Sequence, residues 1–148
     1  MLATGRVPNT EGLGLDAAGV ATDARGYIRV NDRLETTAPG VWAMGDVAGS
    51  PQFTHVALDD YRVVKANLSG GSRTTSGRLI PSCTFIDPEL GRVGLGEAEA
   101  RSAGTPIKVA RLAVSAVPRA RTLGETRGFM KAVVDPGTGR ILGFTMLG

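Results

Sequence analysis

A single cysteine, Cys83, stands in a chain of 148 residues. It excludes an internal disulfide and any Cys-x-x-Cys metal or redox site within these residues, and a reducing cytoplasm is the default compartment. Aromatic residues make up 5% of the chain, too few for base-stacking platforms. The charge balance is only +3, and no run of Lys or Arg is long enough for a nucleic-acid patch, so no nucleic-acid partner is expected. No apolar stretch reaches the roughly 20 residues that a membrane span requires, so no membrane partner is expected either. The residues from Met1 to Pro8 lack the charged-then-apolar layout of a signal peptide. There is one histidine, His55, and no cluster with metal-ligand spacing. Glycine, by contrast, is plentiful at 21 residues, which implies many tight turns. Hydrophobic residues at 42% and charged ones at 21% give a globular balance.

Along the chain, Met1-Leu2-Ala3-Thr4-Gly5-Arg6 has the pattern of a buried strand's tail running into a glycine turn. Residues 26–30 suggest a short strand. The apolar run Val41-Trp42-Ala43-Met44 fits a strand buried on both faces, as in a parallel sheet, and it stops at Gly45-Asp46. A helix is expected from Thr54, a suitable N-cap, with Ala57, Tyr61, Val64 and Leu68 on one face. Gly70-Gly71 stops it, and the Gly/Ser/Thr-rich stretch that follows is the candidate domain boundary.

Beyond the boundary, strands outnumber helices. Residues 82–87 and 107–114 suggest strands, a turn after the first of these leads to residues 92–95, and Glu97 to Ala103 suggests a short helix. Asp135-Pro136-Gly137-Thr138-Gly139 lies between two apolar segments and is a hairpin signal, because Pro presets one dihedral and Gly allows positive φ. This half is therefore α+β with an antiparallel sheet. Its apolar face needs more cover than one short helix provides, which implies further structure beyond Gly148.

Two local features suggest chemistry. Asp46, after an apolar strand and Gly45, places a carboxylate at the sheet edge where open α/β sheets bind ligands, and it could accept a sugar or polyol hydroxyl. A strand-to-loop turn with a solvated Asp has the same sequence. The N-terminus of the helix after it presents free N–H groups and a positive dipole end to an electron-rich atom, though a plain amphipathic helix would do so too.

The succession of motifs is more specific than any one of them. Ala3-Thr4-Gly5-Arg6-Val7-Pro8-Asn9-Thr10, Leu13-Gly14-Leu15, residues 36–46, Thr54-His55-Val56-Ala57, residues 81–101 and the hairpin within residues 128–148 resemble the pyridine nucleotide–disulfide oxidoreductase family. Dihydrolipoamide dehydrogenase, glutathione reductase and mercuric reductase are its familiar members. Phe53-Thr54-His55, Leu58-Asp59-Asp60-Tyr61-Arg62 and Pro118-Arg119-Ala120-Arg121 look most like the mercuric-reductase-like branch.

The resemblance implies an α/β fragment from the ends of NAD(P)- and FAD-binding Rossmann-like domains, followed by an α+β dimerisation domain. The divisions are 1–70 for the partial FAD/NAD(P)-binding region, 71–79 for a linker and 80–148 for an incomplete dimerisation domain through which a homodimer forms. It implies FAD and NAD(P)H as cofactors. Asp46 with Gly45 would serve the ribityl or phosphate side of FAD. Gln52, Phe53, Thr54 and His55 would lie at the flavin pyrimidine edge, with Thr54 the preferred contact. Ala3, Thr4, Gly5 and Arg6 would lie near NAD(P).

The family's two Gly-rich fingerprints, its redox cysteine pair and its C-terminal His-Pro motif do not occur in these 148 residues. No catalytic residue is therefore assigned, and the chain is expected to act as part of a parent enzyme that passes electrons from NAD(P)H through flavin and a cysteine pair to a disulfide or metal ion. The alternative is a non-catalytic dimerisation module or a truncated product. His55 is expected beside the flavin and not as an acid–base, Cys83 as a buried packing residue, and Arg119, Arg121 and Arg127 as a solvated face or subunit contact.

Overall fold

The computed structural model describes residues 2–148 and divides the chain into two compact units, one ending at Arg78 and one spanning Leu79–Gly148. Among the described residues no helix is long and apolar enough to cross a membrane.

The first unit is built mostly from turns. Three isolated antiparallel bridges tie it together: Thr22 to Ile28, Val30 to Thr36 and Glu35 to Trp42. They converge on a small core of Val20, Ile28, Ala38 and Ala43, against which Leu15, Val30, Val47 and Ala48 pack. Neither residues 26–30 nor 41–44 form a continuous strand. Val41 is 39% and Met44 44% exposed, so the expected burial on both faces is not found. The reason is pairing: among the described residues this run has one bridge partner, Glu35 beside Trp42, and no ladder covers its other side. The opening segment is likewise not strand; residues 2–7 are exposed and without regular structure, and Met1, where that expectation began, lies outside the described residues.

Helix α1 spans Thr54–Leu68. Its N-cap is Phe53 without a side-chain cap bond, so Thr54 is the first helical residue and not the cap. The buried face is Val56, Asp60, Val63 and Asn67, adjacent to the apolar face expected from the sequence; Tyr61 and Leu68 are exposed. Two polar residues sit at the centre of the buried face because each finds partners. Asn67 Nδ2 donates to the carbonyls of Arg33 (3.2 Å) and Arg73 (2.9 Å). Asp60 accepts from Gly45 N–H (2.8 Å) and from Arg78 Nη1 (2.5 Å). The Gly-rich stretch after α1 is pinned back onto the same unit, where Thr75 N–H donates to the Asp32 carbonyl (2.8 Å) and Arg73 pairs with Asp59 (2.7 Å).

The second unit is one five-stranded antiparallel sheet in the order β1-β2-β5-β4-β3. The strands are β1 Ser82–Thr84, β2 Leu90–Gly94, β3 Lys108–Ala113, β4 Phe129–Val134 and β5 Ile141–Leu147. Helix α2 is Glu97–Ser102, and a further short helix, α3, is Pro118–Leu123. The segment 92–95, which follows the expected turn, belongs largely to β2, and the strand expected over 82–87 stops at Thr84. Cys83 in β1 is exposed, contrary to the packing role expected of it, because β1 is a three-residue strand at the sheet edge.

Strand register sorts the side chains onto two faces. Leu112, Met130, Phe144 and Val93 share one face with Ala110, Ala132 and Met146. Arg111, Lys131, Thr145 and Arg92 share the other. Helix α2 attaches to this second face through Arg92–Glu99 and Lys131–Glu97 (3.1 Å) and buries Ala100 completely. Bonds from Arg101 and then Lys131 hold the Glu97 carboxyl below its ordinary value. The apolar face keeps Leu112 at 49% and Met146 at 38% exposure.

The hairpin between β4 and β5 closes as its sequence implies. Asp135 N–H donates to the Arg140 carbonyl (2.9 Å), and Asp135 Oδ1 accepts from Gly137 N–H (2.7 Å) and Thr138 N–H (3.1 Å). Those backbone bonds, Thr138's first and then Gly137's, hold the Asp135 carboxyl below its ordinary value. A lowered folded value means the charged form is favoured by folding. The hairpin's stabilisation is therefore complete above the ordinary carboxyl range and is lost as pH falls through the lowered value. Asp135→Asn should flatten the acid limb of an unfolding-versus-pH curve; an unchanged limb would place that dependence on other carboxylates.

Candidate functional site

The apolar run over 41–44 ends in a single 3-10 turn, Gly45–Ala48. Gly45 opens it at φ +72, a conformation that side chains with a Cβ rarely adopt. A Cβ there would also meet the Ala57 methyl at 3.3 Å. Glycine thus lets the turn lie directly on α1. From this turn Asp46 projects outward, 49% exposed, and its Oδ2 meets Arg6 Nη1 at 3.1 Å. The turn closes where Gly49 N–H donates to the Asp46 carbonyl (3.0 Å).

Arg6 draws the opening segment towards Asp46, and the two lie beside a pair of neighbouring hollows. One, of about 460 Å³, is lined by residues 4–6 and 49–52 together with Asp23, Arg25 and Tyr27. The other, of about 230 Å³, is lined by Arg6, Asp46, Tyr27 and Gln52 among others. Thr4, Gly5, Arg6, Gln52 and Asp46 are therefore brought together, while Gly45, next to Asp46 in the chain, lines neither hollow. Ala3, Phe53, Thr54 and His55 line neither hollow. The Phe53 and His55 rings stack on each other, with centroids 5.2 Å apart.

Three lining residues escaped the sequence reading. Tyr27 lines both hollows, and Gln52 Nε2 lies 3.5 Å from its hydroxyl. Arg25 lies over the Tyr27 ring, 5.1 Å from its centroid. Asp23 sets both by accepting from the N–H groups of Arg25 (2.8 Å) and Tyr27 (2.9 Å). The signal was an Asx turn, Asp23-Ala24-Arg25-Gly26, just before the short apolar segment.

The side chains of this region can offer hydrogen bonds and charge to a ligand. The two hollows carry two guanidinium groups, two carboxylates, side-chain amides and a phenol, suited to a ligand with both anionic and hydroxyl groups. Among the described residues no nucleophile is paired with a base here.

Comparison with known proteins agrees with the order of motifs. Residues 1–60 match the family model described as pyridine nucleotide-disulphide oxidoreductase, and residues 80–148 match the dimerisation domain of the same family. The chain is 48% identical to the probable pyridine nucleotide-disulfide oxidoreductase RclA of Escherichia coli, over 99% of this chain and 34% of that protein. It is 45% identical to dihydrolipoyl dehydrogenase of Thermus scotoductus, over all of this chain and 32% of that enzyme. The solved structure of the HOCl-induced flavoprotein disulfide reductase RclA superposes with a TM-score of 0.91, covering 98% of this chain and 34% of the other. The chain thus spans about a third of the length of these relatives. Two consecutive family matches and a superposition over nearly every residue place it in the pyridine nucleotide–disulfide oxidoreductase family.

Proposed function

We propose that this chain forms part of an FAD-dependent NAD(P)H oxidoreductase that passes electrons through flavin and a redox cysteine pair to a disulfide or a metal ion, in the manner of mercuric reductase. The observation that carries the proposal is the convergence of Arg6, Asp46 and Gln52 on two adjoining hollows in a chain of this family. These residues fit a flavin dinucleotide. Asp46 is half-exposed and can accept hydrogen bonds from ribityl hydroxyls, while Arg6 and Arg25 offer charge to phosphates. Bound FAD would supply the two-electron chemistry between nicotinamide and thiols.

The chain's own residues bind and orient. Gly45 and Asp46 serve the ribityl or phosphate side. Gln52, Phe53, Thr54 and His55 stand at the start of α1, whose dipole favours negative charge at the flavin pyrimidine edge. Ala3, Thr4, Gly5 and Arg6 lie towards NAD(P). Residues 1–70 form the cofactor region, 71–79 the connection and 80–148 the dimerisation domain, through which two copies associate in the cytoplasm. The exposed apolar sheet face of Leu112 and Met146 supports that association.

The test uses the full-length protein that contains this chain. It should purify yellow, oxidise NADH or NADPH in the presence of a disulfide or metal-ion acceptor, and sediment as a dimer. A colourless protein that neither takes up FAD nor consumes NAD(P)H, yet still dimerises, would establish the non-catalytic module instead.

A further inference from the structure

The sequence singles out the pair Asp59-Asp60 in α1, and the flavin reading gives Asp60 no role. Asp60 is fully buried, the only carboxylate among the buried residues described. Its two oxygens are both used. Oδ2 accepts from Gly45 N–H at 2.8 Å and Oδ1 from Arg78 Nη1 at 2.5 Å. Arg78 also reaches Asp59, at 3.5 Å, so the cation is set by both carboxylates.

Gly45 is the residue before Asp46 and the first of the 3-10 turn. Its amide sits at the turn's open end and cannot be satisfied within it. The carboxylate of Asp60 thus fixes the direction in which the peptide enters the turn, and with it the direction in which Asp46 leaves. Ala57, one turn earlier on α1, supports Gly45 from below, since even a methyl on Gly45 would lie 3.3 Å from it. A buried charge is costly unless its partners are fixed. An apolar residue could fill the α1 face at lower cost, as Val56 and Val63 do on either side of it.

We propose that Asp60 is a positioning residue for flavin binding: through the Gly45 amide it holds the turn that presents Asp46, and Arg78 keeps the Asp60 carboxyl correctly aimed. The inference rests on Asp46 being a flavin contact. It predicts a division of labour along one face of α1, in which Val63 serves stability alone and Asp60 serves the turn.

The experiment measures FAD dissociation and thermal unfolding of the full-length protein in three variants. Asp60→Ala should weaken FAD affinity by about tenfold, the scale of one lost charge-assisted hydrogen bond. Asp60→Asn should fall between it and the parent, since its single carbonyl oxygen can serve only one of the two donors. Val63→Ala, which empties the same buried face without touching Gly45, should lower the melting temperature and leave affinity within about twofold. Equal affinity loss in Val63→Ala and Asp60→Ala would overturn the inference, because the effect would then be general loosening. If Asp60→Ala does not fold, Asp60→Asn decides alone through Gly45 amide exchange: exchange and FAD affinity both unchanged would overturn the role. An Asp46→Ala control separates the two levels. Loss there with none at Asp60 sinks the positioning role only; no loss at either sinks the flavin reading as well.

Discussion

Gly143→Val should unfold the second unit's sheet at its centre. Gly143 is buried in β5 and faces Gly94 of β2 across the ladder. A Cβ on Gly143 would fall 2.7 Å from the Leu95 amide nitrogen and closer still to the Leu95 carbonyl. Those atoms are backbone, and Leu95 N–H is already committed to the Leu142 carbonyl at 2.9 Å. The obstruction cannot be relieved by turning a side chain. Gly94 cannot yield either, because it holds φ +72 where the strand leaves the sheet towards α2. Overpacking of this rigid kind costs about 3 kcal/mol or more. In a unit of this size that is a fall in melting temperature of more than about 10 °C. Differential scanning calorimetry checks it, and a melting point within a few degrees of the parent would mean that β2 and β5 do not pair in this register.

Asp46→Ala in the full-length protein should weaken FAD binding by about tenfold to a hundredfold, since a charged acceptor bonding a hydroxyl contributes about 1.5–3 kcal/mol. The carboxylate can be recruited to a ligand at little cost. Its partner Arg6 is 65% exposed, and ion pairs of that kind contribute about 1 kcal/mol at most. Asp46→Asn should lose less, because its amide oxygen still accepts. Arg6→Ala should leave the hydroxyl contact intact and lower affinity by less than Asp46→Ala does. Equilibrium titration of flavin fluorescence reads all three; unchanged affinity in Asp46→Ala would remove Asp46 from the site.

The second unit was the more legible in sequence. Its α2 helix and the β4–β5 hairpin appear where pattern and turn chemistry put them, because both depend on interactions within a few residues: the capping of α2 by Glu99 and the turn bonds of Asp135. Strand β2 was hidden by two glycines, Gly91 and Gly94, that weaken any strand pattern. Helix α3 was hidden by Pro118, which breaks a helix in its interior but is well placed at its first position. In the first unit, the apolar run 41–44 misled because periodicity cannot report whether a strand has neighbours. The face of α1 was displaced for a related reason. A pattern scored by hydrophobicity puts Asp60 and Asn67 outside, whereas their partners, Gly45, Arg33, Arg73 and Arg78, lie far along the chain or beyond the helix. Gly45 and Asp46 were singled out by the end of the apolar run and by family motifs, and Gln52 and residues 4–6 by the family resemblance alone, while Tyr27 and Arg25 owe their position to a local Asx turn that carried no functional signature.

The strand order has a consequence for synthesis. β5 follows the other four strands in chain order, yet it lies in the middle of the sheet, between β2 and β4. Until it arrives, β1–β2 and β3–β4 are two separate hairpins with no ladder between them. Strand β2 must wait about fifty residues for its partner, a separation that slows pairing and leaves its edge open meanwhile. Any event that removes or delays residues 141–147 therefore costs the sheet two ladders at once and leaves the apolar face as two loose pieces in place of one surface. Quality control acting on the nascent chain would meet this unit as hairpins until β5 is made.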